Sequence, residues 1–133
     1  MDMRDDPTNK LYSVTELANE FEITPRAIRF YETKGLLSPQ RAGSTRVYTY
    51  RDRARLMIIL RGKRMGFSLA GIKEYFDLYD ADPTKRTQMN ALLGAVRARM
   101  TELDEQRKDL ETTLDELRDV EKQTLEALEG ATE

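Results

Sequence analysis

From Met89 onward the apolar residues step by four and three: Met89, Leu93, Val96, Met100, Leu103, then Leu110, Leu114, Leu117 and Leu128. A 3.5-residue period held over about 40 residues is a coiled-coil seam, because each step returns to one side of a helix. The same register lands on Arg107, Glu121 and Thr124, where apolar residues would pack better. Charged residues inside a seam fix its register or meet across it. At 1.5 Å per residue, residues 85–128 would extend roughly 66 Å. A lone helix with such a stripe is unstable in water, so the spacing predicts pairing through these nine leucine, methionine and valine positions.

What precedes the helix has room for one small domain. A hydrophobic share of 39% is low for a self-contained globule and a charged share of 35% is high. That balance suits a small core attached to a helix that needs a partner. No apolar run approaches the roughly 20 residues of a membrane span, so no membrane partner is expected. The polar, acidic start does not read as a signal peptide, and a soluble cytoplasmic location is the default expectation. Cysteine and histidine are both absent. Disulfides, zinc sites with Cys or His ligands and catalysis by either side chain are thereby removed. No acidic loop has calcium-site spacing and no Gly-rich loop cradles phosphate. The expectation is a protein that is not an enzyme, with no metal and no cofactor.

The net charge of −2 averages two unlike halves. Residues 1–79 hold 14 Lys and Arg against 10 Asp and Glu, whereas residues 80–133 hold 8 against 14. Within residues 24–64 there are 11 cations against Glu32 and Asp52 alone. Salt screens charge within about 10 Å, so this local excess decides affinity for phosphate, and the overall balance does not.

Residues 1–10 carry no periodicity and read as a disordered lead-in. Ser13 and Glu16 form a capping-box pattern, and Val14, Leu17, Ala18 and Phe21 then share one face, predicting a helix over 14–21. After a tight turn at Glu22-Ile23, Thr24 and Pro25 open a second helix over about 25–34, stopped by Gly35. Two short helices so joined make a helix-turn-helix. Ala42-Gly43-Ser44 is turn chemistry, and Arg46-Val-Tyr-Thr-Tyr50 is β-prone with alternation, which predicts a hairpin wing. Asp52 is expected to cap a third helix at about 53–65, ended by Gly66. Ser68 caps a fourth, with Leu69, Ile72, Tyr75, Phe76 and Tyr79 as its stripe. The expected fold is mainly α: a winged helix-turn-helix head over 11–79, a hinge at 80–84, a long coiled-coil helix over 85–129 and a tail at 130–133. Asp82 or Thr84 caps the long helix.

On the second helix Arg26, Arg29 and Thr33 share a face, while Ile28 and Tyr31 point largely the other way. Arginines near the start of such a helix can reach guanine O6 and N7 in a major groove, or grip phosphate. Thr24 and Phe30 on the same helix join the candidate DNA contacts. The bland alternative is a solvated basic face. In the wing, Arg41 and Arg46 flank the turn and suit phosphate or a minor groove, and Tyr48 is open between DNA contact and core. Arg61 and Lys63, at the end of the third helix, are candidate DNA contacts, and for Lys63 phosphate contact and capping of the helix dipole are equally consistent. Arg53 and Arg55 oppose that dipole, which suggests charge kept for a partner. Phe30, Phe67, Tyr75, Phe76 and Tyr79 could line a small-molecule pocket, though aromatics at helical spacing are more often core.

Taken together, Tyr12-Ser-Val-Thr-Glu-Leu-Ala18, Thr24-Pro-Arg-Ala-Ile-Arg-Phe-Tyr-Glu32, Lys34-Gly-Leu-Leu-Ser-Pro39, Arg46-Val-Tyr48 and Leu60-Arg-Gly-Lys-Arg-Met-Gly-Phe-Ser-Leu69 closely resemble the MerR family of bacterial transcription regulators. The matching segments span residues 11–79, about half the chain. The resemblance implies a homodimer joined by an antiparallel coiled coil, binding to an inverted-repeat operator in double-stranded DNA, and distortion of an overlong promoter spacer so that RNA polymerase can use it. It also implies recognition-helix contacts at Arg26, Arg29 and Tyr31 and a wing contact at Arg46. Thr45 stands where many members have Tyr, so the usual wing tyrosine has no counterpart there. Sensing members carry cysteines near the end of the long helix; this chain has none, and it is expected to carry no C-terminal drug-binding domain. More narrowly, Arg46 to Arg53 and Ile59 to Leu69 resemble the LiuR-like subgroup, which regulates branched-chain amino acid and acyl-CoA breakdown. The inducer is left unnamed by the sequence. Two other readings stay open: an architectural DNA-bending or excision-type protein without an inducer, and a coiled-coil adaptor that binds only protein.

Overall fold

The computed structural model describes residues 10–81 and 85–132. The expected lead-in, apart from Lys10, and the proposed caps Asp82 and Thr84 lie outside the described residues. The elements are α1 (Val14–Phe21), α2 (Pro25–Thr33), β1 (Gln40–Ala42), β2 (Thr45–Val47), α3 (Tyr50–Arg64), α4 (Leu69–Ala81) and α5 (Arg86–Thr132).

The capping box at Ser13 forms in both directions: Glu16 N–H donates to Ser13 Oγ and Ser13 N–H to Glu16 Oε1, each at 3.0 Å. Glu22 ends α1 in the left-handed region at φ 56°, and Ile23 N–H reaches back to the Ala18 carbonyl. Thr24 Oγ1 accepts from Ala27 N–H at 3.1 Å, so α2 begins where its Thr-Pro pair predicts. Gly35, at φ 78°, ends the α2 segment and lets Leu36 N–H bond the Tyr31 carbonyl.

The wing is shorter than its β-prone composition predicts. β1 and β2 pair antiparallel with Arg41 opposite Arg46 and Ala42 opposite Thr45, leaving Gly43-Ser44 as a two-residue loop. Tyr48 forms a separate bridge with Tyr12, through backbone bonds of 2.8 and 2.9 Å, while Tyr50 already belongs to α3. The cause is a second capping box, anchored at Thr49 and not at Asp52. Thr49 Oγ1 accepts from Asp52 N–H, and Asp52 Oδ2 accepts from Thr49 N–H at 3.0 Å. Asp52 is 4% exposed and also accepts from Ser38 N–H, so it ties the start of α3 to the segment before β1.

Leu17, Ile28, Leu36, Tyr48, Leu56 and Ile59 are fully enclosed at the centre of the head, with Tyr31, Leu37, Ile72 and Phe76 around them. Each such side chain contributes about 1.5–3 kcal/mol by leaving water. α3 and α4 pack closely at Gly62, where an added Cβ would come within 3.0 Å of Ile72 Cδ1. Phe67 and Tyr75 pack against the same core, while Phe30 and Tyr79 are exposed. Phe67, Tyr75 and Phe76 therefore supply core, and the five aromatics do not line a shared pocket.

α4 continues through Asp80 and Ala81, two residues expected in the hinge. Among the described residues, those through Gln88 form one compact unit and those from Met89 onward another. Gln88 lies on α5, yet it is 4% exposed and donates to the Tyr75 carbonyl at 3.0 Å. α5 also runs past the expected end at 129 to Thr132, because a single Gly130 weakens a helix by only about 1 kcal/mol. No helix among the described residues is long and apolar enough to cross a membrane.

Candidate nucleic-acid interface

α2 turns its apolar side inward through Ile28 and Tyr31. The opposite face carries Arg26, Arg29, Phe30 and Thr33, all exposed. Thr33 Oγ1 donates to the Arg29 carbonyl at 3.0 Å, so its hydroxyl is tied to the helix's own backbone. Phe30 is 45% exposed, with the Lys34 ammonium 5.5 Å from its ring centre. An exposed ring beside two arginines can meet a thymine methyl while the cations reach base edges or phosphate. Thr24 is exposed at the start of this helix, with its oxygen occupied by the cap and its hydroxyl proton still available.

The 11 cations of residues 24–64 separate into two groups. Arg46, Arg53 and Arg55 are partly buried, and each has a carboxylate partner: Glu32 at 2.9 Å, Glu20 at 2.8 Å and Asp80 at 3.4 Å. Arg26, Arg29, Lys34, Arg41, Arg51, Arg61, Lys63 and Arg64 are all exposed, and none has a carboxylate partner among the described residues. Hydrogen bonding to Arg53 holds the Glu20 carboxyl below its ordinary range and raises Arg53 in return. Arg53 and Arg55 are thus engaged inside the head, which corrects the expectation that their charge is kept for a partner. The remaining eight give the head an uncompensated field that a polyanion can neutralise.

Two expected contacts are withdrawn by burial. Tyr48 is fully enclosed, with its hydroxyl donating to Glu32 Oε2 at 3.5 Å, so it is core and cannot reach a groove. Tyr31 is 4% exposed and its hydroxyl accepts from Lys63 Nζ at 3.4 Å. Its role is to seat Lys63, whose ammonium also lies 5.6 Å from the Tyr31 ring centre, against α2. Lys34, Arg51 and Arg64 are not among the DNA contacts that the sequence nominates. The sequence shows their charge; only the fold shows that nearby carboxylates are committed elsewhere. An open cleft bounded by Ser38, Thr49, Arg51 and the Arg55–Asp80 pair adds little to this field, since Asp52 and Asp80 balance its two arginines. No cluster of acidic, Cys or His side chains among the described residues is arranged to hold a metal ion.

α5 carries a surface of a different kind. Met89, Leu93, Met100, Leu103, Leu110, Leu114 and Leu117 are 45–65% exposed, and Val96 is partly so. Arg107, which interrupts the stripe, is held within its own helix by Asp104 at 2.6 Å and Glu111 at 3.9 Å. Past Leu117 the apolar residues drift to Val120 and Leu125, flanking Glu121 and Thr124. A stripe read as a strict alternation of four and three, which runs from Leu117 to Glu121, Thr124 and Leu128, passes over both.

The family model of MerR helix-turn-helix regulatory proteins matches residues 12–78, and that of the MerR DNA-binding region matches residues 53–120. The chain belongs to the MerR family. It is a DNA-binding transcriptional regulator of the MerR type. The transcriptional regulator ZntR of Escherichia coli K12 is 32% identical over 104 residues, covering 77% of this chain and 72% of ZntR. HiNmlR, a MerR family regulator lacking the sensor domain and solved bound to promoter DNA, is similar in structure with a TM-score of 0.60 and 25% identity, over 80% of each chain. The N-terminal part of the Bacillus subtilis multidrug transporter activator, MtaN, has a TM-score of 0.53 and 28% identity, over 77% of this chain and 97% of that one.

Proposed function

We propose that this MerR protein binds an inverted-repeat operator as a homodimer, with α2 of each head in a major groove and the paired α5 helices setting the distance between heads. One observation carries the reading: eight exposed cations on the head lack carboxylate partners among the described residues, while Glu32, Glu20, Asp80 and Asp52 are committed to Arg46, Arg53, Arg55 and the cap of α3. Arg26 and Arg29 read bases, with Thr24, Phe30 and Thr33 beside them. Arg41, Arg61 and Lys63 hold phosphate, as do Lys34, Arg51 and Arg64. The promoter DNA bound by the structurally similar HiNmlR supports the same use of this head.

Two heads at a rigid separation can store bending and untwisting in the spacer DNA, whose deformation energy depends on sequence. RNA polymerase is then a partner indirectly, through a promoter it would otherwise use poorly. The LiuR-like segments point to genes of branched-chain amino acid or acyl-CoA breakdown, and the site of action is the cytoplasm. The test is selection of bound duplex from a random pool, followed by footprinting at the matching genomic site. Two inverted half-sites within one promoter are expected, and neighbouring genes would nominate the pathway and any small-molecule inducer. Broad, weakly selective coverage would mean an architectural DNA-bending protein, and negligible affinity even at low salt a protein-binding adaptor.

A further inference from the structure

Arg41 and Arg46 face each other across the β1–β2 ladder, so residue type and register treat them alike. Their surroundings do not. The Arg46 guanidinium sits on Glu32, with Nε 2.9 Å from Oε2 and 3.2 Å from Oε1, and both side chains are largely shielded from solvent. Tyr48, fully enclosed, donates to the same carboxylate. Burial first, and the Glu32 charge second, push the Tyr48 phenol above its ordinary value. Arg41 is exposed and has no carboxylate partner among the described residues.

Glu32 is also the sole carboxylate between Ile23 and Arg51 in the sequence. A bare anion on a helix that meets phosphate would repel it at close range. Here the anion is neutralised by Arg46 and hydrogen-bonded by Tyr48, and these bonds join the recognition helix to the wing's second strand and to the residue that follows it. We propose that Glu32 is a positioning residue that locks the wing to α2 through Arg46 and Tyr48, and that Arg41, not Arg46, is the wing cation that meets the DNA backbone. This inference rests on the proposal that α2 and the wing face one duplex.

The test measures affinity of the full-length protein for the selected operator and for a random duplex of equal length, across a salt series, with thermal melting of each variant as the control for folding. Removing one cation from a phosphate reduces the slope of log affinity against log salt by about 0.9. Arg41→Gln is expected to reduce the slope by that amount on both duplexes. Arg46→Gln is expected to keep the wild-type slope but to lower the operator-to-random ratio on the order of tenfold, the size of coupling among contacting groups. Glu32→Gln is expected to lower the ratio similarly while steepening the slope, because it releases Arg46. The double variant Glu32→Gln/Arg46→Gln is expected to be no worse than the poorer single. Where Arg46→Gln fails to fold, Arg46→Lys keeps the charge and carries the test, with a ratio nearer wild type than Glu32→Gln. An Arg46 variant whose slope falls by about 0.9 at an unchanged ratio, or a Glu32→Gln variant with the wild-type ratio, overturns the proposal. A wild-type protein that prefers neither duplex overturns the operator reading and the proposal with it.

Discussion

Leu56 and Leu114 are the same residue on two long helices, and their surroundings differ completely. Leu56 in α3 is fully enclosed by the head, whereas Leu114 in α5 is 47% exposed. The head closes its own core, down to a buried Asp52 with three donors around it. α5 from Met89 on buries almost nothing within one chain; its side surfaces hold themselves with exposed pairs such as Arg118–Asp115 and Lys108–Asp104, worth a few tenths of a kcal/mol each. A helix of 47 residues with an open apolar stripe gains little from its own chain and is stabilised by whatever covers that stripe. In the proposed function recognition belongs to the head, which closes its own core, and spacing to α5, whose stripe a second copy would cover.

The largest effect is expected where the two parts depend on each other. Replacing Leu110 and Leu114 together with Gln should leave the head folded but bring operator affinity down to the level for random DNA, about 10³-fold or more. Binding titrations on both duplexes check this, and retention of the operator preference would separate recognition from the stripe. Next, Leu56→Ala should cost about 2–5 kcal/mol of stability through the cavity it leaves. Its thermal midpoint should fall by the same amount at every protein concentration. The same change at Leu114 should matter less as concentration rises, which melting curves over a hundredfold range would show.

Much of this division was legible in the residues. Ser13 with Glu16, and Thr24 with Pro25, located α1 and α2 because caps act within four residues of sequence. The steps of four and three from Met89 located α5 for the same reason of local periodicity. Where the structure departs from the sequence pattern, the cause is competition decided at longer range. Asp52 carries the right chemistry for a cap, but Thr49 takes that place once Ser38 also needs the Asp52 carboxylate. Tyr48 and Tyr50 alternate like a strand, but one is drawn into the core and the other into a helix. Arg46 and Arg41 are indistinguishable by type, and only the position of Glu32 separates them. Gln88 had no signal at all, since a buried amide bonding a backbone carbonyl leaves no pattern in sequence.

Smaller changes refine the contrast inside the head. Arg29→Ala should cost about 1–3 kcal/mol of base discrimination, read as a loss of preference at one position of each half-site. Uniform weakening on all sequences would make Arg29 a phosphate clamp. The least effect is expected from Tyr48. Its phenol is raised by burial and by Glu32, so the folded state keeps the proton longer than the unfolded chain does. The resulting stability is intact below about pH 10 and is lost as pH rises towards the folded value. Tyr48→Phe should flatten that alkaline decline in melting temperature, and a decline unchanged by the substitution would assign it to another group.

The mass of the intact protein in solution tests the division of labour most directly. Sedimentation equilibrium at micromolar concentration should give about twice the chain mass of 15.4 kDa, the result that the proposed pairing of the stripe from Met89 to Leu128 with a second copy requires. A single species at 15.4 kDa, with the helix intact by circular dichroism, would contradict it.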